Sequence, residues 1–216
     1  MGGQTIPHKS AAMPSTITEF TVFLIDDDPA ILKALGRLLH AAGYQTQAYQ
    51  SADAFLNEHD ASIPGCAVLD HAMPGLNGLD VQKAMARESI HRPVIFLTGR
   101  GTIAESVKAM KAGAVDYLTK PVDKVKLLSA IRLAEERDKT RRDAEARSNL
   151  VLQRLAKLTR REKETLKLVT EGLLNKQIAG VMGVTEKTIK VHRMRVFKKM
   201  GARNLAELVR MTAEYL

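Results

Sequence analysis

Asp26 and Asp27 are adjacent, whereas Asp70, Thr98 and Lys120 follow far along the chain. Each sits in, or within two residues after, a short apolar run: Val22–Ile25, Cys66–Leu69, Val94–Thr98 and Val115–Leu118. If these runs are parallel strands of one open sheet, their C-terminal ends share an edge, and the residues converge in a crevice there. Convergence is unfavourable by itself, because two carboxylates ~4 Å apart repel by roughly 4 kcal/mol at an effective dielectric near 20. A hard divalent cation offsets this, and Mg²⁺ binds one or two carboxylates while keeping several waters. A carboxylate so placed, beside a lysine and a threonine, can attack a phosphoryl group while the cations neutralise its oxygens. Singly, the pieces are ordinary: an Asp-Asp pair after a strand is often a helix cap, the role assigned to Asp28, and Lys-Pro is often a turn. Their joint placement at strand ends is what points to phosphoryl chemistry.

A second set lies near the C-terminus. On a helical wheel of residues 186–200, Ile189, Arg193, Val196, Phe197 and Met200 share one sector, the core side. Lys187, Lys190, Val191, Met194 and Lys198 share the opposite one. Lysines can reach phosphates or guanine acceptors, and Val and Met can touch thymine methyls, so this face suits a major groove. The alternative is a plain amphipathic helix with a solvated lysine face.

The elements that must position these residues can be read from periodicity. Gln45–Tyr49 completes a set of five short strands, with amphipathic helices between them. Asp28 caps a helix opened by Pro29 and ended by Gly43; Ser51 caps the next; Thr102-Ile-Ala-Glu105 is a capping box whose helix stops at Gly113. The expected fold class is α/β: a five-stranded doubly wound parallel sheet of flavodoxin type, followed by a linker and a small all-α helix-turn-helix domain. Residues 135–149 contain almost nothing to bury, which suits a solvated helix or a flexible linker. Beyond Leu150 the pattern is helical: a capping box at Thr159–Glu162, a short helix capped by Asn175, a turn at Gly183-Val184-Thr185, the helix ended by Gly201, and a last helix opened by Asn204.

Composition agrees. The chain has 216 residues and 45% hydrophobic content, enough for one large or two small folded domains. Residues 1–140 carry 15 Lys/Arg against 16 Asp/Glu, whereas residues 141–216 carry 18 against 8, so the basic excess belongs to the last third. Nucleic acid is the first partner this suggests, and an anionic membrane the second, although a large apolar face is lacking. One cysteine, Cys66, excludes an internal disulfide, and no Cys/His cluster suggests zinc. No apolar run approaches the ~18–20 residues that span a bilayer. Residues 1–17 lack the features of a signal peptide, and Ile6 stands where a myristoylation signal needs Ser or Thr, so they are expected to be a disordered tail. A cytoplasmic location follows as the expectation.

Residues 20–133 resemble the receiver domain of bacterial two-component response regulators, through Ile25-Asp26-Asp27-Asp28, Asp70-x-x-Met73-Pro74-Gly75-x-x-Gly78, Leu97-Thr98-Gly99 and Lys120-Pro121. The resemblance implies that Asp70 accepts phosphate from a histidine kinase. It further implies that Asp26, Asp27, Asp70 and the backbone carbonyl of Ala72 hold Mg²⁺, and that Thr98 and Lys120 bind the phosphoryl oxygens. Tyr117 matches the aromatic switch position. Arg100 and Ala72 match positions that modulate dephosphorylation. His71 departs from the pattern, which usually has an apolar residue there; a satisfied core histidine is the favoured reading, with tuning of phosphate lifetime as the other.

Residues 156–216 resemble the LuxR-type helix-turn-helix, through Leu158-Thr159-x-Arg161-Glu162, Gly172-x-x-Asn175-Lys176-x-Ile178-Ala179 and Thr188-Ile189-Lys190-Val191-His192. Together the two resemble the NarL/FixJ class of transcription factors. That implies base reading by Lys190 and Val191, a phosphate contact by Lys176, and a dimer helix at 204–215. Met194 replaces a base-reading lysine of some members, and His192 is assigned a structural role. The expected domains are a tail at 1–17, the receiver at 18–134, a linker at 135–155 and the DNA-binding domain at 156–216. The expected function is phosphorylation-driven dimerisation and binding to double-stranded promoter DNA, with activation as the commoner outcome and RNA polymerase as a candidate partner. A phosphate-independent regulator that uses the receiver to dimerise is the alternative. A phosphatase of the haloacid type would need a second acid two residues after Asp70, where Ala72 stands, so the chain is not expected to be an enzyme.

Overall fold

The computed structural model describes residues 20–99 and 102–216. The expectations for residues 1–17 and for Arg100 lie outside the described residues. The chain divides into two compact units, one running through Thr140 and one spanning Arg141–Leu216.

The first unit alternates strand and helix: β1 (Thr21–Ile25), α1 (Pro29–Ala41), β2 (Gln45–Tyr49), α2 (Ala52–Glu58), β3 (Gly65–Asp70), α3 (Gly78–Arg87), β4 (Val94–Thr98), α4 (Ile103–Lys111) and β5 (Asp116–Thr119). The strands form one parallel sheet in the order β2-β1-β3-β4-β5. β1, β3 and β4 are buried at every position, as their unbroken apolar runs require of central parallel strands. Alternate residues supply two cores. Val22, Leu24, Cys66, Val68, Ile95 and Leu97 pack on one face with Leu35 and Leu39 of α1. Phe23, Ile25, Ala67, Leu69 and Phe96 pack on the other with Phe55, Val81 and Met85. This division follows from the two-residue period of strands. Helix starts are where local chemistry places them: the side chains of Asp28, Ser51 and Thr102 accept from the backbone of the first turns of α1, α2 and α4.

Helix α5 spans Lys124–Ala156 without a break. The segment 135–149 is therefore helical, and it is not purely solvated. Asp138 is only 1% exposed, and its carboxylate accepts from the Gly65 amide at 3.3 Å.

The second unit contains α6 (Arg160–Thr170), α7 (Asn175–Met182), α8 (Glu186–Met200) and α9 (Leu205–Thr212). Leu158, Leu166, Val169, Ile178, Ile189, Val196, Met200 and Leu208 form its core. Gly183 and Gly201 end α7 and α8 at φ 65° and 66°, a region that glycine enters without strain. One expectation fails here. Asn175 is the first helical residue of α7 rather than its cap; Leu174 precedes it, and Gln177 Oε1 accepts from the Leu174 amide. The Asn175 side chain instead accepts from Arg193 Nη1 at 3.3 Å, a partner supplied by another helix.

Candidate functional site

The parallel register brings the acidic residues to one edge. Ile25 pairs with Leu69, so Asp26 and Asp70 leave β1 and β3 at the same level. Asp70 pairs with Leu97, so Thr98 stands one residue further along β4. Thr98 pairs with Thr119, and the Lys120 amide donates to the Thr98 carbonyl at 2.6 Å, which delivers Lys120 to the same edge. Each position is set by the end of a strand, not by sequence proximity.

At that edge, carboxylate oxygens of Asp26, Asp27 and Asp70 all lie within 4.8 Å of one another. Asp26 and Asp70 are buried, while Asp27 is exposed. The ammonium of Lys120 sits 2.6 Å from Asp26 Oδ2 and 3.2 Å from Asp70 Oδ2. Burial pulls the lysine pKa down, but the hydrogen bond and charge of Asp26, then of Asp70, outweigh it and hold the ammonium above its ordinary value. Asp26 Oδ1 also accepts from the Asp28 amide at 2.9 Å, and Asp70 Oδ1 from the Ala72 amide at 3.4 Å. Among the described residues, three carboxylates faced by one ammonium form a net anionic pocket. Its donors are all oxygen, the set that a hard divalent cation takes.

Glycine shapes the approach to this edge. A Cβ on Gly78 would fall 2.9 Å from the Asp70 carbonyl and 2.7 Å from the Phe96 ring. Only glycine lets the start of α3 lie so close to the end of β3. Ala72 is exposed in the loop between them.

Tyr117 and His71 adjoin the site but do not join the carboxylates. Tyr117, on β5, packs against Phe96 and His71, with ring centroids 5.9 and 5.6 Å away. Its hydroxyl is enclosed without a hydrogen-bond partner. Burial raises its pKa; the nearby Thr98 hydroxyl lowers it, and the charges of Glu105 and Asp70 raise it. The expectation of a satisfied core histidine at position 71 fails. The ring is 11% exposed, Nε2 lies 3.4 Å from Glu105 Oε1, and Nδ1 is buried without a partner. Glu105 was legible as the third helical residue of a capping box, and it performs that role. Its second role, opposite His71, joins residues distant in sequence and leaves no sequence signal.

In the second unit, Lys176, Lys187, Lys190, Val191, Met194 and Lys198 are all exposed. The last five share the outward face of α8, while Lys176 stands on α7. Ile189, Val196 and Met200 are buried on the opposite face of α8. Arg193 is fastened inward by Asn175 and stacks 5.8 Å from the Phe197 ring, so it is taken up by the scaffold. Among the described residues, Lys190 is the one of the three outward α8 lysines (187, 190 and 198) with an ion-pair contact, 3.7 Å from Glu186, and both groups are exposed. Such a contact contributes little and exchanges readily. His192 Nδ1 is enclosed without a partner. Among the described residues, no helix is long and apolar enough to cross a membrane.

Comparison with known proteins gives a consistent result. Residues 22–132 match the family model of the response regulator receiver domain. Residues 156–212 match that of bacterial regulatory proteins of the luxR family. Nodulation protein W of Bradyrhizobium diazoefficiens is 43% identical over 195 residues, covering 90% of this chain and 86% of that protein. Transcriptional regulatory protein FixJ of Azorhizobium caulinodans is 41% identical over 194 residues, covering 88% and 90%. Among solved structures, the response regulator StyR superposes with a TM-score of 0.85 at 38% identity, covering 92% of this chain and all (100%) of that one.

Proposed function

The chain belongs to the NarL/FixJ family of response regulators, transcription regulators with a receiver and a LuxR-type DNA-binding domain, and from that premise we propose that Asp70 is its phosphoacceptor. The observation that carries this reading is the cluster of Asp26, Asp27 and Asp70 with Lys120 bridging two of the three. A carboxylate oxygen of Asp70 attacks the phosphorus of a phosphohistidine on the sensor kinase. The N–P bond breaks as the O–P bond forms, and the imidazole leaves. Lys120 lies where it can exchange a carboxylate for a phosphoryl oxygen, and Thr98 supplies a hydroxyl to another. Asp26, Asp27, Asp70 and the carbonyl of Ala72 are the proposed ligands of Mg²⁺, which when bound neutralises charge on the transferring oxygens. Hydrolysis of the resulting acyl phosphate is the only turnover this reading assigns to the protein.

We divide the chain functionally into the receiver at 18–134, the helical linker at 135–155 and the DNA-binding domain at 156–216. Loading of Asp70 redraws the surface of α4 and β5, with Thr98 and Tyr117 as the switch. Ile103, Val107 and Met110 lie along one side of α4, and all are exposed, Ile103 at 85%. That apolar stripe supports dimerisation through this face once the surface is redrawn. Dimerisation would set two α8 helices on half-sites about one DNA turn apart. Lys187, Lys190, Val191, Met194 and Lys198 would enter the major groove, with Lys176 on a phosphate. The location proposed is the cytoplasm, and activation through RNA polymerase is the proposed outcome.

The test is sedimentation with Mg²⁺, before and after beryllofluoride is added as an acyl-phosphate mimic. A shift from monomer to dimer that Asp70→Asn abolishes is expected. A shift that survives Asp70→Asn, or no shift, would favour a regulator whose receiver dimerises without phosphate.

A further inference from the structure

His71 directly follows the proposed acceptor, and its surroundings have an unusual property. Among the described residues, two polar atoms on adjacent rings, His71 Nδ1 and the Tyr117 hydroxyl, are buried without a hydrogen-bond partner. The rings meet edge to face, with centroids 5.6 Å apart. Phe96 packs against both, closing a cluster of three rings. Buried polar groups are normally paired, so two neighbouring exceptions call for an explanation.

The chemistry of the two atoms is complementary. His71 Nε2 faces a carboxylate oxygen of Glu105 at 3.4 Å. A carboxylate accepts only, so Nε2 carries a proton, and in that tautomer Nδ1 is an acceptor. The tyrosine hydroxyl is a donor. Glu105, in turn, accepts from the amide and the hydroxyl of Thr102 through its other oxygen, at 3.0 and 2.9 Å. It thereby fixes the first turn of α4. The His71 amide donates to the Leu97 carbonyl at 2.7 Å, so the backbone beneath the ring is anchored beside Thr98.

We propose that His71 is a positioning residue that links the acceptor to α4: in the loaded receiver the Tyr117 hydroxyl donates to His71 Nδ1, completing a relay from Tyr117 through His71 to Glu105. The inference rests on Asp70 being the acceptor. When Thr98 is drawn to the phosphoryl group, the space beside Tyr117 changes and its hydroxyl turns to the one unpaired acceptor on its neighbouring ring. The relay then holds the start of α4 through Glu105. The loaded state gains a hydrogen bond that the unloaded state lacks, and this difference in bonding biases the equilibrium. No proton is transferred; the two ring nitrogens serve as acceptor and donor.

The experiment uses the full-length protein with Mg²⁺, with and without beryllofluoride. Its first readout is the imidazole ¹⁵N spectrum. The His71 Nδ1 resonance should move upfield on loading in the wild type and stay in place in Tyr117→Phe. The second is the factor by which beryllofluoride strengthens dimerisation. His71→Phe and Tyr117→Phe should each reduce that factor by about tenfold, the scale of one buried hydrogen bond, and the double variant should lose no more than either single one. Both variants keep a ring in the cluster, and the spectrum of the wild type tests the relay even if His71→Phe folds poorly. An unmoved Nδ1 resonance in a wild type that responds to beryllofluoride, or additive losses in the double variant, overturns the relay while leaving Asp70 as acceptor. A wild type with no Asp70-dependent response to beryllofluoride overturns both.

Discussion

The carboxylate edge of the first unit and the outward face of α8 both display lysine, but in opposite settings. Lys120 is 19% exposed and is clasped between two carboxylates that are 3% and 9% exposed. Lys187, Lys190 and Lys198 stand in solvent, with one loose contact to Glu186 among them. The difference fits the ligand proposed for each. A phosphoryl group is small and densely charged, and a site that binds it gains from fixed charges held away from water. A nucleic-acid backbone is extended, and lysines that are solvated and free to move can each settle on a phosphate while releasing counterions. The first arrangement gives precise chemistry at the cost of holding like charges together, whereas the second gives affinity that varies with salt.

Removing one lysine from each place should separate the two regimes. The largest effect is expected for Lys120→Met, which leaves Asp26 and Asp70 buried without their counter-charge. Removing one partner of a buried ion pair typically costs about 3–5 kcal/mol. Urea unfolding of this variant should show a loss on that scale in metal-free buffer and a partial recovery on adding Mg²⁺, which supplies the missing positive charge. Equal stability with and without the metal would break the comparison, because the lysine would then not be balancing the carboxylates.

A smaller effect, on binding rather than folding, is expected for Lys190→Ala. Its stability should stay within about 0.5 kcal/mol of the wild type, as for an ordinary surface substitution. The slope of log affinity against log salt for double-stranded DNA should fall in magnitude by about 0.9 if the lysine neutralises one phosphate. A base contact instead would relax sequence preference at one position. An unchanged slope together with unchanged preference would remove Lys190 from the interface.

The smallest effect sharpens the contrast within the second unit. Lys199, unlike the outward lysines of α8, donates to Glu162 Oε2 at 2.6 Å. That bond, followed by the bond from the Thr159 amide, holds the Glu162 carboxyl below its ordinary pKa. A depressed carboxyl stabilises the fold above its unfolded value, roughly 4.3, and the contribution is lost as pH falls below that value toward the folded one. Glu162→Gln should therefore flatten the acid limb of stability between pH ~5 and the depressed value, read as denaturation midpoint against pH. An acid limb as steep as in the wild type would show that Glu162 does not supply it.

Local features were readable in the sequence wherever a residue and its partner lie within one turn. The Thr159–Glu162 capping box needs only four consecutive residues, and both of its bonds are present. The β4 boundaries follow from its apolar run in the same way. Asn175 was misread because its residue type favours caps, yet a guanidinium from α8 offered a charge-assisted bond that residue type alone cannot announce. The segment 135–149 looks empty of anything to bury because Asp138 is a charged residue; its buried carboxylate accepts from the Gly65 amide, 73 residues away.

The sequence by itself determined that there are five short strands with interleaved helices, which residues cap three of those helices, which face of α8 is apolar, and that the basic excess lies in the last third. These are consequences of period, steric preference and charge, all properties of short stretches of chain. Tertiary structure alone decided that Lys120 bridges Asp26 and Asp70, that His71 faces Glu105 and leaves an unpaired nitrogen beside an unpaired tyrosine hydroxyl, and that Glu162 serves both its own helix start and Lys199. Each of these depends on distances between strand ends and helix faces far apart in the chain, which are fixed by sheet register and core packing and are not encoded in any local pattern.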